Sequence, residues 1–297
     1  MPRLAPDVLA RIDRLELDAK QVVEGYLAGR HRSPRTGFAV EFAQHREYAP
    51  GDDIKHIDWK VYARTERYHL KQYEQETNLV AWMAVDGSES MKVGTLTDAT
   101  GRRVTKYGTA CTLAVALAYL ITRQSDSAGL LLAADRVRAF LRGSSAPGQV
   151  REMLTRLVEG PFPGLSNVGK VLRDQAATLG RRGIVFVFSD FLDDVADLVA
   201  GLRVLKSHKQ EVVLFQVLDA AELDFPFRQP TLFRGLEFAP EISTDPVSVR
   251  EGYLAALGAH LAELDEATRT LGVELVRVRT DSDLGATLAG YLQKRQS

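Results

Sequence analysis

From residue 79 onward the chain alternates short apolar runs with helix-length stretches, and this alternation limits the possible folds more than any other feature. The runs span 79–85, 129–134, 183–188, 211–218 and 272–278, and each closes in a polar loop. Between and after them lie stretches of helical length at 105–123, 147–158, 168–179, 194–206, 247–271 and 283–295. Runs apolar at nearly every position suit strands covered on both faces, and helices between them supply the crossovers that parallel strands need. The segment 136–141 follows the second run after a tight link and is expected to fold back as an antiparallel hairpin at the sheet edge. The predicted body is therefore α/β: a doubly wound, Rossmann-like, mostly parallel sheet of six strands.

The residues before 79 have a different texture. Val8, Ile12, Leu15, Val22, Tyr26 and Leu27 recur at three- and four-residue steps, so an N-terminal helix with one docking face is expected, ending in a linker within 1–36. Residues 37–78 are polar, aromatic and histidine-rich, and Ala49-Pro50-Gly51-Asp52-Asp53 is a strong turn between two extended pieces. A small β element is expected there. The α/β body occupies 79–297, with 219–246 inserted; that insert is too long for an ordinary connection and is expected to pack on the β element.

Composition narrows the function classes. The chain has 297 residues with 38 Lys+Arg against 39 Asp+Glu, so neither a polybasic nucleic-acid binder nor an acidic tail is indicated. Its single cysteine, Cys111, cannot form an internal disulfide, which fits a reducing compartment, and a cytoplasmic location is expected. The longest apolar stretch, 109–122, falls short of the roughly 20 residues that a membrane-spanning helix needs.

Ligands of doubly wound sheets bind outside the carboxyl ends of the strands, so the loops there carry the chemistry. The first run ends in Asp86-Gly87-Ser88-Glu89-Ser90, one carboxylate and two hydroxyls at alternate positions. The run 183–188 ends in Ser189-Asp190, and Gly164-Leu165-Ser166-Asn167 offers a further hydroxyl ahead of a helix. An oxygen-only set suits a hard cation such as Mg²⁺, whereas zinc would call for thiolate or imidazole. The plainer reading is that Ser88, Ser90 and Ser166 cap helices and Asp86 satisfies backbone amides. Asp193 and Asp194 are read as charges favoured at a helix N-terminus.

These residues resemble the metal-ion-dependent adhesion site of von Willebrand factor A domains. The resemblance implies Asp86, Ser88, Ser90, Ser166 and Asp190 as ligands of Mg²⁺, Mn²⁺ or Ca²⁺, with a partner's acidic side chain completing the shell. Ser166 stands where that family usually has threonine. The block from Glu41 to Arg64, which includes Glu47-Tyr48-Ala49-Pro50-Gly51-Asp52-Asp53 and Asp58-Trp59, resembles the signature of the bacterial family called domain of unknown function 58. That resemblance implies a von Willebrand factor A-like body and a MoxR-type AAA+ ATPase as partner. Four of the six histidines, His31, His45, His56 and His69, lie in or beside the block, but with no metal-ligand spacing; a packing role for Trp59 and Tyr62 is expected.

Three functions follow. The first is a non-enzymatic protein-binding module whose ion recruits a partner carboxylate. The second is a Mg²⁺-dependent phosphohydrolase using Asp86; Ser88 stands where a general acid would be needed. The third, nucleic-acid binding through Arg30 to Arg35 and nearby aromatic residues, is opposed by the local balance of charge.

Overall fold

The computed structural model describes residues 6–30, 45–47, 69–71, 80–180, 182–233 and 242–295. The chain divides into two compact units, one of Pro34–Asn78 and one of Met1–Ser33 with Leu79–Ser297. In the smaller unit β1 (His45–Glu47) pairs antiparallel with β2 (His69–Lys71), His45 opposite Lys71. The expected turn at Pro50-Gly51, the packing of Trp59 and Tyr62, and the docking of 219–246 onto this element lie outside the described residues.

In the larger unit a six-stranded sheet is built from β3 (Val80–Asp86), β6 (Ser127–Ala133), β7 (Val137–Ser144), β8 (Ile184–Ser189), β9 (Glu211–Leu218) and β12 (Glu274–Arg279). Two short strands, β4 (Leu96–Thr97) and β5 (Arg103–Val104), form a hairpin after β3. The order across the sheet is β12-β9-β8-β3-β6-β7, with every pairing parallel except β6 with β7. The expected antiparallel edge hairpin is present.

Alternation along the strands splits the core in two. Met83 and Val85 of β3 join one hydrophobic cluster, and Trp82 and Ala84 join the other. The first face is covered by α1 (Pro6–Arg30), α2 (Lys106–Arg123), α3 (Gln149–Leu157) and α8 (Leu284–Lys294). The second is covered by α4 (Val168–Gln175), α5 (Val195–Ser207) and α7 (Pro246–Leu271). Sheets covered this way need apolar residues at successive strand positions, as the sequence has.

The N-terminal helix belongs to the α/β unit. Ile12, Ala19 and Val23 of α1 are buried in the first cluster, with Val8, Leu15 and Val22 packed against it. Polar contacts hold α1 in place: Asp18 pairs with Arg102 at 3.1 Å, and Glu16 accepts from the Tyr119 hydroxyl at 2.8 Å. Tyr26 and Leu27 are among the residues whose side chains are not described.

Helices α4 and α5 meet through glycine. A Cβ on Gly201 would lie 2.4 Å from the carbonyl oxygen of Gly169, and one on Gly169 would lie 2.4 Å from that of Asp197. Only residues without side chains permit so close a crossing. It locks together the helices that follow the Ser166 and Asp190 loops. Within 219–246 stand α6 (Ala220–Asp224) and the hairpin β10 (Thr231–Phe233) with β11 (Ile242–Thr244). Phe225, Phe227 and Phe233 pack on one another, and Phe225 packs on Tyr253 of α7.

Candidate functional site

The chain leaves β3 toward β6 on one side and later returns to place β8 on the other, so the switch in strand order lies between β3 and β8. Their loops open into the crevice where such sheets bind ligands. Val85 pairs with Phe188 across the two strands, and the residues that follow, Asp86 and Ser189, end side by side.

Asp86 is buried, 2% exposed. Its Oδ1 accepts from the Ser88 amide at 2.9 Å. Its Oδ2 accepts from the hydroxyls of Ser189 at 2.6 Å and Ser166 at 3.1 Å. The Ser88 and Ser90 hydroxyls lie 3.0 Å apart. Burial, and then the charge of Asp190, raise the Asp86 carboxyl to about 7, against the pull of hydrogen bonds from Ser189 and Ser88. Among the described residues Asp86 has no cationic partner.

Asp190 is equally buried but is neutralised. Its Oδ2 accepts from the Lys106 ammonium at 2.8 Å, and its Oδ1 from the Leu192 amide at 3.2 Å. Lys106, fully buried at the start of α2, also donates to Glu222 Oε1 at 2.6 Å. Glu222 in turn belongs to a capping box at the start of α6, its Oε2 accepting from the Asp219 amide at 2.8 Å. Behind Asp190 the chain turns through Phe191, whose φ of 50° is unusual for a bulky residue. The turn is held by the Ser189 hydroxyl, which accepts the Phe191 amide at 3.1 Å. The Phe191 carbonyl lies 2.7 Å from Nε2 of His260 on α7.

The structure thus gathers Asp86, Ser88, Ser90, Ser166 and Asp190 at one end of the sheet. The capping reading of the serines does not hold. The N-cap of α4 is Asn167, with no side-chain cap bond, and the short 3₁₀ turn Ser90–Lys92 is preceded by an uncapped Glu89. Asp86 does satisfy one backbone amide, as that reading expected. Asp194 is the N-cap of α5, accepting from the Ala196 amide at 2.7 Å. Asp193 instead faces Ser166, and burial raises its carboxyl. The single Ser166 proton therefore stands between two carboxylates. A cavity of about 230 Å³ opens here, lined by Leu165, Ser166, Asn167, Phe191, Asp193 and Asp194 among others.

Among the described residues no three His, Cys, Asp or Glu side chains gather as a metal cluster. An ion at this end of the sheet would have to be held by few carboxylates and by hydroxyls, with water filling the remaining positions. The donor set fits a hard cation of the Mg²⁺ kind. Ser166 and Ser189 both donate to Asp86, and among the described residues the buried Asp86 carboxylate has no cationic counter-ion.

Lys106, Glu222 and Ser189 carry no role in the sequence reading. Lys106 stands just outside the apolar stretch 109–122, yet it is wholly buried. Strand register would have revealed Ser189; nothing in a single sequence pairs Lys106 with Glu222, 116 residues away.

Among known proteins the chain is similar to uncharacterized proteins of Mycobacterium tuberculosis and Mycobacterium bovis, each 27% identical over 296 residues, which is 98% of this chain and 90% of theirs. Among solved structures it is similar to the conserved hypothetical protein BatB from Bacteroides thetaiotaomicron, with a TM-score of 0.47 and 15% identity over 73% of this chain and 98% of that one. It is also similar to an aerotolerance-related membrane protein from Bacteroides fragilis, with a TM-score of 0.46 and 16% identity over 73% and 99% of the two chains. No helix among the described residues is long and apolar enough to cross a membrane. The model of the protein family of unknown function DUF58 matches residues 44–263, most of the chain, and the chain belongs to that family.

Proposed function

We propose that this protein is a non-enzymatic binding module with a von Willebrand factor A-like body, in which a divalent ion, Mg²⁺ in the first instance, is held at the β3–β8 crevice and recruits an acidic side chain of a protein partner. Asp86, Ser88, Ser90, Ser166 and Asp190 would hold the ion. One observation carries the reading: a buried carboxylate, Asp86, is surrounded by hydroxyls and has no cationic partner among the described residues. An isolated buried charge is costly, and a bound cation offsets that cost. Mn²⁺ or Ca²⁺ would suit the same oxygens.

The chain's own residues do the rest. Ser166 and Ser189 orient Asp86, the Phe191 turn fixes Asp190, and the crossing of α4 with α5 keeps the two loops in register. The ion supplies binding to a carboxylate and no bond-making step. The family resemblance of the 41–64 block supports a MoxR-type AAA+ ATPase as the partner, with this protein as its adaptor. The test is capture of that ATPase on the immobilised full chain in Mg²⁺ and in EDTA, beside Mg²⁺ titration by calorimetry. Capture and ion binding that both vanish in Asp86→Ala support the reading; capture unchanged by EDTA and by Asp86→Ala refutes it.

A further inference from the structure

Lys106 occupies a position that opposes a cation twice over. It is fully buried, and as the first residue of α2 it sits where the helix dipole is positive. Two carboxylates hold it there, Asp190 at 2.8 Å and Glu222 at 2.6 Å. Burial pulls its ammonium toward neutrality, but the charges of Asp190 and Glu222 outweigh that and keep it protonated. Its backbone is bound to the candidate ion loop as well: the Lys106 amide donates to the Val93 carbonyl at 2.8 Å, just beyond Ser90–Lys92. The cluster is therefore asymmetric. Of two neighbouring buried aspartates, Asp190 has an internal cation and Asp86 has none among the described residues.

We infer that Lys106 is a built-in counter-ion that regulates the ion site: by neutralising Asp190 it holds the crevice in an arrangement of low divalent-ion affinity, so that an ion is retained firmly only when a partner carboxylate adds its charge. This rests on the ion site proposed above. A bound ion at Asp86 and the Lys106 ammonium draw on the same Asp190 carboxylate. Glu222 opposes Lys106 on its other side and determines how much positive charge is left to face Asp190. Because Glu222 closes the capping box of α6, any movement of Lys106 away from Glu222 is passed to the first turn of that helix and to Asp219.

Opposite signs follow for two substitutions, and a merely structural role would not produce them. Removing the cation in Lys106→Met leaves Asp190 for the ion and should tighten ion binding; removing the opposing charge in Glu222→Gln should weaken it. One unit charge at the distances of neighbouring buried groups is worth on the order of tenfold in affinity, or more.

The experiment is Mn²⁺ binding to the full chain, by calorimetry and by loss of free Mn²⁺ signal in electron paramagnetic resonance. It compares wild type, Lys106→Met, Glu222→Gln and Asp86→Ala, each checked by circular dichroism. Tighter binding in Lys106→Met with weaker binding in Glu222→Gln supports the inference. So does binding that appears only in Lys106→Met. Binding abolished by Asp86→Ala but unchanged in the other two variants, or shifted the same way in both, overturns the role of Lys106 and leaves the ion site standing. Binding undiminished in Asp86→Ala, or absent from all four proteins, overturns both. Should Lys106→Met not fold in EDTA, its recovery on refolding with added Mn²⁺ supports the inference. No recovery, or a wild-type response in Glu222→Gln, overturns it.

Discussion

Ser189 ends β8 beside the last residue of β3 and gives its hydroxyl proton to Asp86 at 2.6 Å, while its oxygen accepts the Phe191 amide at 3.1 Å. One side chain thus orients the carboxylate on its own strand's neighbour and holds the turn that carries Asp190. Ser189→Ala removes both bonds inside a buried site. A loss of about 2–4 kcal/mol in unfolding free energy is expected, since a charge-assisted bond and a buried amide are both left unpaired. Urea denaturation in EDTA measures it.

Asp86 has a consequence for pH. Burial and the charge of Asp190 raise its carboxyl from 3.8 to about 7, so across that interval the native state holds a proton that the unfolded chain has released. Stability from this group is complete below the unfolded value and is lost as pH rises through the native one. In EDTA the urea midpoint should fall from pH 4 toward pH 7, and Asp86→Asn, which stays neutral, should flatten that fall.

The α4–α5 crossing admits no side chain. In Gly201→Ala the added carbon would meet the Gly169 carbonyl, so the helices must part, at a cost of about 1–3 kcal/mol. The separation moves Ser166 relative to Asp190. The thermal midpoint should fall, and ion affinity should fall with it; Gly258→Ala, with open space around its position, serves as the comparison.

Cys111 is inert by burial, which pushes its thiol up to about 12. At pH 8 only about one thiol in ten thousand is then ionised, and the thiolate is the reactive form. A disulfide reagent such as dithionitrobenzoate should leave the native protein unmodified for hours and titrate one thiol in guanidinium chloride.

The sheet was legible from the sequence because strands covered on both faces are written as continuous apolar runs, and all five parallel strands stand where those runs do. Strand ends were less legible. The last strand begins at Glu274, because Gly272 adopts φ 58° and terminates α7 before the run can extend. The helix α4 stops at Gln175, four residues before the apolar pattern does, and Leu179 is buried in the turn beyond it. The oxygen groups Asp86, Ser88, Ser90, Ser166 and Asp190 were visible because each closes or follows a recognisable element. The charge that offsets Asp190 was not, since a lysine at the head of an apolar helix reads as a solvent-facing boundary until tertiary contacts place it inside.

The central position of β3 bears on how the protein is made. Its first-synthesised neighbour is β6, which leaves the other edge of β3 with unpaired backbone groups until β8 emerges roughly a hundred residues later. Asp86 gains Ser189 only at that moment. A nascent or truncated chain ending before residue 184 would therefore present an open strand edge with a buried-type carboxylate at its tip, a form suited to chaperone capture. The proposed ion site would be completed late in synthesis, as a mark that both halves of the sheet have joined.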